Sequence, residues 1–263
     1  MNTVLKPNVR RYGTTEAAKA PFGPVQSSMK VVVIIPALNE ESAIAGVVRA
    51  VPREAVDRII VVNNGSADRT AEEARNAGAQ VVDEPVRGYG NACWRGIAEA
   101  GDGDILVFLD GDGSDDPRHL PCLVESLTRD GCGLVIGSRT LGKREKGAMP
   151  PHAVWGNRLA CGLIWLLWGV RFTDLGPFRA IRRATLEAMR MEDRGYGWTV
   201  EMQVKAAILG LRCHEIPVNY RRRIGSSKIS GTWRGSLKAG IKIITMIFRL
   251  WLSQKKVRRS IHG

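Results

Sequence analysis

Four carboxylates, Asp110, Asp112, Asp115 and Asp116, fall within the stretch VFLDGDGSDDP (107–117), directly after an apolar run. Like charges this close raise one another's pKa unless a cation sits among them. Asp110 and Asp112 leave a strand end with one residue between them, and in an extended segment residues i and i+2 point the same way. Two carboxylates on one side of a strand end can share a divalent cation, and hard oxygen ligands favour Mg²⁺ or Mn²⁺. Such a cation can bridge a diphosphate. The plainer alternative is a solvated loop in which Asp116 caps a helix beginning at Pro117. That reading accounts for Asp115 and Asp116. It does not account for Asp110, which the run ILVFLD carries to the sheet edge.

The second concentration of chemistry is cationic. Residues 1–135 hold 14 Lys and Arg against 19 Asp and Glu, a net of −5, so the whole-chain +13 leaves +18 for residues 136–263. Such asymmetry points to a polyanionic partner for the second half: nucleic acid, anionic lipid or phosphates. A solvated basic surface is the bland alternative. Arg139 follows the run GLVIGS, and YRRRIGSSK (220–228) supplies Arg221, Arg222, Arg223 and Lys228. Arginine suits bidentate phosphate contacts.

The elements that must position these groups read as alternating strands and helices. KVVVIIPALNE (30–40), VDRIIVVNNGS (56–66), AQVVDEP (79–85), DILVFLDGDG (104–113) and GLVIGSR (133–139) read as strands, the first two as buried ones. Helices follow at 41–52, 67–78, 88–101 and 116–130. This order predicts an α/β fold, a Rossmann-like, mostly parallel sheet flanked by helices. Ligands of such sheets sit beyond the carboxyl ends of the strands, where the loops 36–40, 63–66, 110–116 and 137–139 fall. After residue 140 the pattern changes. A polar loop (142–157) precedes an apolar helix (158–170) of about a dozen residues, short of the roughly 20 that span a bilayer. CHEIPVNYRRR (213–223) reads as a further strand. The segment 235–259 reads as an apolar helix carrying Lys238, Lys242 and Arg249, then a basic tail. It suits either an amphipathic helix on a membrane surface or a helix packed on the domain.

The chain of 263 residues divides into a polar arm (1–29) with no signal-peptide core, an α/β domain (30–231), and the C-terminal helix with its tail (232–263). Five cysteines without metal spacing suit a reduced, cytosolic setting.

IIPALNE (34–40), VVNNGSADRT (61–70), VRGYGNA (86–92), FLDGDGSDDP (108–117) and IGSR (136–139) resemble, in order and spacing, the inverting family-2 glycosyltransferases of GT-A fold. DLGPFRAI (174–181), GYGWTVEM (195–202) and IPVNYRRRIGSSKISG (216–231) are similar to later motifs of its polyprenyl-phosphate branch, the dolichyl-phosphate mannose synthase type. The resemblance covers about residues 30–231. It implies that Pro36, Leu38 and Glu40 line a nucleoside pocket, with Asn64 where the family usually has a base-reading Asp. Asp68 and Thr70 match the rest of that motif. Arg87 precedes Gly88 and Gly90, a turn whose N–H groups could meet an anion. Asp110 and Asp112 are the implied metal ligands for a GDP- or UDP-hexose. Arg139, Arg223 and Lys228 are the implied phosphate contacts.

A lipid-phosphate acceptor is largely ionised near pH 7, since the second pKa of a phosphomonoester is about 6. It needs cations and no strong base. A sugar hydroxyl acceptor would demand a carboxylate base, for which Asp174 and Glu201 are the candidates. The expected enzyme is therefore a metal-dependent hexosyltransferase acting on polyprenyl phosphate. Its expected place is the cytoplasmic membrane face, with the protein held there peripherally. A saccharide or another lipid is the alternative acceptor. A nucleic-acid binder should interleave aromatics with its cations, and here only Trp233 and Tyr220 hint at that. A catalytically dead subunit should have a broken Asp-x-Asp, and this one is intact.

Overall fold

A computed structural model describes residues 29–129, 131–225 and 233–262 of the chain. The expected arm, apart from Met29, and Lys228 lie outside these residues.

The run VVVIIPA forms β1 (Val31–Ala37), buried at every position. Its residues alternate between two cores. Val32 and Ile34 join one, while Val31, Val33, Ile35 and Ala37 join the other. A strand covered on both faces needs this continuous apolar character. The chain continues through α1 (Ile44–Ala50), β2 (Arg58–Asn63), α2 (Thr70–Asn76), β3 (Gln80–Asp83), α3 (Tyr89–Glu99), β4 (Ile105–Phe108) and α4 (Leu120–Arg129). It then forms β5 (Leu134–Ser138), α5 (Pro151–Trp168), β6 (Arg179–Arg182), α6 (Arg183–Met189), α7 (Trp198–Ile208), β7 (Cys213–Pro217) and α8 (Trp233–His262).

The strands make one sheet in the order β3-β2-β1-β4-β6-β5-β7. Every pairing is parallel except those of β6, which runs antiparallel to both β4 and β5. The carboxyl ends of the other six strands therefore share one edge, and the loops with chemistry leave from it. β6 is the strand that the sequence reading lacked. Its four residues, RAIR, show no apolar run, because Arg179 is fully buried by hydrogen bonds instead.

Two boundaries also move. α5 starts at Pro151, well inside the expected polar loop, because proline suits a first helical position where no N–H partner is required. Asn157, Ala160, Cys161 and Ile164 form its buried face. α8 packs against α7 and α5, and Met246, Ile247 and Leu250 join the larger core. The packed-helix alternative therefore holds for that face. No helix among the described residues is long and apolar enough to cross a membrane.

Candidate active site

Pro36, Leu38, Glu40, Asn64, Arg87, Asp110, Asp112 and Arg223 line one cavity of about 350 Å³ at the carboxyl edge of the sheet. Eight sequence-chosen residues from five separate segments thus converge. Tyr89, Gly111 and Tyr196 line it too, without having been singled out.

The 39–41 wall is set by the NNGSADRT segment. Ser66 Oγ and Thr70 Oγ1 accept the backbone N–H groups of Asn39 (3.0 Å) and Glu40 (2.8 Å). Asp68 accepts the N–H of Thr70 at 3.0 Å and of Glu41 at 3.3 Å. Asn64 stands where the family usually has a base-reading Asp. Its side chain is instead committed to backbone: Nδ2 donates to the carbonyls of Glu84 (3.0 Å) and Val86 (2.9 Å), and Oδ1 accepts from Gly88 N–H (2.8 Å). An Asp could accept from Gly88 but could not donate to the two carbonyls.

The glycine turn is corrected in the same way. Gly90 N–H donates to Gly195 O (3.2 Å) and Asn91 N–H to Arg194 O (3.0 Å), so these groups hold a loop rather than an anion. A Cβ on Gly88 or Gly90 would collide with the backbone of Asp193 or Arg194. The glycines serve this close approach, which brings Tyr196 to the cavity.

The acidic loop departs from a solvated one. Asp110 Oδ1 and Asp115 Oδ1 are buried without a hydrogen-bond partner. Burial, and then the Asp112 charge, push Asp110 up to about 7. Burial, and then Asp110, push Asp115 well above the ordinary carboxylate range. The solvated-loop alternative accounted for Asp115, yet that residue is 2% exposed. The apolar residues before the loop and the left-handed turn at Gly113 fold it inward. Asp116 does cap the turn at Pro117, accepting Arg118 N–H at 3.3 Å, and it also accepts from Arg118 Nη2 (2.7 Å) and Arg221 Nη2 (3.0 Å).

Asp112 Oδ1 accepts from Ser114 N–H (2.9 Å) and Oγ (2.6 Å), while Oδ2 lies 3.4 Å from Arg223. Arg223 also reaches Glu40 at 2.7 Å. The 220–224 segment closes over the acidic loop through Arg221 N–H to Ser114 O and Ile224 N–H to Asp112 O, both 2.9 Å.

No group of three or more His, Cys, Asp or Glu side chains among the described residues is arranged to hold a metal by itself. The donor set still fits one. Two hard carboxylates, one with an orphaned buried oxygen, suit a divalent cation that takes its remaining ligands from phosphates and water.

The two base candidates stand elsewhere. Asp174 is fully buried and grips Arg139 with both oxygens, accepting from Nε (2.8 Å), Nη2 (2.7 Å) and the backbone N–H (2.7 Å). Burial opposes the Arg139 charge, but Asp174 outweighs it and raises the guanidinium pKa. Arg139 stacks over Tyr220 at 5.1 Å, and Tyr220 bridges to Asp115. Glu201 is 1% exposed, pairs with Lys205 at 2.8 Å, and accepts the N–H groups of Glu192 and Asp193, both at 2.7 Å. It is not among the cavity-lining residues.

Residues 32–189 match the model of Glycosyl transferase family 2. An uncharacterized glycosyltransferase of Mycobacterium tuberculosis is 38% identical over 216 residues, 80% of this chain and 94% of that protein. The undecaprenyl-phosphate mannosyltransferase of Micrococcus luteus is 34% identical over 77% of this chain and 88% of its own. Among solved structures, glucosyl-3-phosphoglycerate synthase of M. tuberculosis, in complex with Mn²⁺, UDP-glucose and phosphoglyceric acid, superposes with a TM-score of 0.66. It is 28% identical and covers 84% of this chain and 81% of its own. The mostly parallel sheet is thus the GT-A arrangement. With its motifs gathered around one cavity, the chain belongs to glycosyltransferase family 2 and is a sugar-transferring enzyme.

Proposed function

We propose that this enzyme moves a hexose, with inversion, from a UDP- or GDP-sugar to a polyprenyl phosphate. In this reading Pro36, Leu38, Glu40 and Arg87 hold the nucleotide, with Asn64 bracing the loop beneath it. Asp110 and Asp112 hold Mg²⁺ or Mn²⁺, which when bound neutralises charge on the departing diphosphate. An acceptor phosphate oxygen attacks the anomeric carbon from the face opposite that diphosphate. The new C–O bond forms as the bond to the diphosphate breaks, and the leaving group takes the electron pair. Arg139 and Arg223 hold the acceptor phosphate, and the family resemblance assigns Lys228 to the same group.

The observation that carries this reading is the state of the two base candidates. Asp174 and Glu201 are both locked in buried ion pairs, and neither lines the cavity. An ionised phosphate acceptor needs no such base. The likeness to the undecaprenyl-phosphate mannosyltransferase supports the same class of acceptor. A second reading, a small phosphorylated acid as acceptor, draws on the likeness to glucosyl-3-phosphoglycerate synthase.

The test offers labelled UDP-glucose and GDP-mannose with undecaprenyl phosphate or 3-phosphoglycerate, in Mn²⁺ or EDTA, beside Asp112→Asn. Metal-dependent label in the lipid product, lost in the variant, is the expected result. Label only in the phosphoglycerate product would replace the first reading by the second.

A further inference from the structure

Thirteen large apolar side chains are exposed among the described residues, and eight of them sit on α5 and α8. Trp155, Leu159 and Leu166 recur at helical spacing along α5, and Ile241, Phe248 and Leu252 do so along α8. These stripes remain after the opposite faces of both helices have joined the core. The helices pack together, with Trp168 Nε1 donating to Gln254 at 3.2 Å. Soluble surfaces seldom gather so much apolar area in one place without a partner.

Charge selects the partner. Neither helix contains an acidic residue, while α5 carries one Arg and α8 eight Lys and Arg. Lys242 and Arg249 fasten α8 to Asp193 (2.9 Å) and Glu192 (3.1 Å). A two-fold contact between copies of this chain would set these cations against one another. An anionic bilayer complements both features: aliphatic and Trp side chains enter at headgroup level, and cations meet the lipid charge.

We infer that the α5–α8 face docks on an anionic lipid bilayer. The docked helix bears directly on the acceptor side. Asn157 of α5 donates to Thr173 O (3.0 Å) and accepts Leu175 N–H (2.9 Å), which fixes the segment that carries Asp174 and hence Arg139. Docking thus brings the Arg139 cation towards the plane where a polyprenyl phosphate keeps its charge. This deepens the lipid-phosphate reading and rests on it for its purpose, though not for the binding itself.

The experiment is vesicle flotation of the full chain on phosphatidylcholine alone and on an equimolar mixture with phosphatidylglycerol, at low and high salt. Vesicles with brominated acyl chains report Trp quenching. Wild type should float with the anionic vesicles, less so in high salt, with its Trp emission quenched. Leu159→Glu/Leu252→Glu changes two exposed positions, so it should keep the wild-type melting temperature and lose about tenfold or more in partitioning. Equal flotation of variant and wild type, or no flotation of wild type, overturns the inference. So does a wild-type dimer in light scattering that Leu252→Glu dissociates, which would assign the face to a second copy. Transfer to a short-chain isoprenyl phosphate in vesicle-free buffer separates the two ideas. Flotation without any lipid-phosphate glycosylation would support the surface and remove the acceptor reading alone.

Discussion

Asp174 and Glu201 on one side, and Asp110 and Asp115 on the other, are all carboxylates withdrawn from water, yet their surroundings differ in kind. Each of the first two faces a buried cation, Arg139 at 2.7 Å and Lys205 at 2.8 Å, and accepts backbone N–H groups besides. The second two face each other, and each keeps an oxygen without a partner. A buried carboxylate with its own cation is a structural part, stable as long as both partners remain. Burial and then the Asp112 charge raise the Asp110 pKa, burial and then the Asp110 charge raise that of Asp115, and a divalent cation relieves the repulsion. The contrast separates architecture from chemistry at positions whose residue type is the same.

The sharpest way to break the contrast is to neutralise one member of each set. Asp112→Asn should lower metal-dependent transfer by about a thousandfold or more, read from initial rates across a Mn²⁺ titration. Asp110→Asn should do the same to activity while raising the melting temperature in EDTA, because it removes a buried charge from beside Asp112. A fall in that temperature would show that Asp110 is structural. Glu201→Gln should act in the opposite sense. It leaves the buried Lys205 with only the exposed Glu192, 3.8 Å away, as a charge partner, at a cost of about 3–5 kcal/mol in urea unfolding, and the folded fraction should keep its turnover. Loss of turnover without loss of stability would return Glu201 to the chemistry.

Asn64→Asp tests the brace under the donor loop. The variant forfeits donation to Glu84 and Val86, so about 1–3 kcal/mol of stability should go, together with a raised KM for the nucleotide-sugar. An unchanged KM would detach the brace from donor binding.

The smallest expected effect concerns Glu215, which accepts the N–H groups of Thr173 (2.8 Å) and Asp174 (3.1 Å). Burial first of all lifts its pKa from 4.5 to about 7. The folded state therefore holds a proton that the unfolded chain has released. This contribution to stability is complete below about 4.5 and is lost as pH rises through about 7. Glu215→Gln should flatten that part of the stability profile in chemical unfolding between these pH values. An unaltered slope would assign the decline to other groups.

The parallel strands were legible because residues buried on both faces must be apolar without interruption, as in VVVIIPA and RIIVVN. β6 was illegible for the converse reason: a buried strand that starts with a hydrogen-bonded arginine has no apolar run to show. Asp110 and Asp112 could be picked out because a strand end and a spacing of two place them in space. Tyr196 could not, since its approach depends on Gly90 and Asn91 meeting the 194–195 backbone from far away in the chain. Asp115 showed only its charge, and charge alone suggests solvent.

Sequence pattern was enough for the alternation of strands and helices as far as β5, the edge where ligands sit, the segments that converge there and the basic second half. Each of these follows from local pattern: period, turn residues, spacing and charge. The tertiary structure alone decided which polar groups were already spoken for. It gave Asn64 and the glycine turn to the backbone, Asp174 to Arg139 and Glu201 to Lys205, and left Asp110 and Asp115 facing one another. The reason is physical. A side chain's chemistry is set by the partners and the water around it, and those partners come from parts of the chain that only folding brings together.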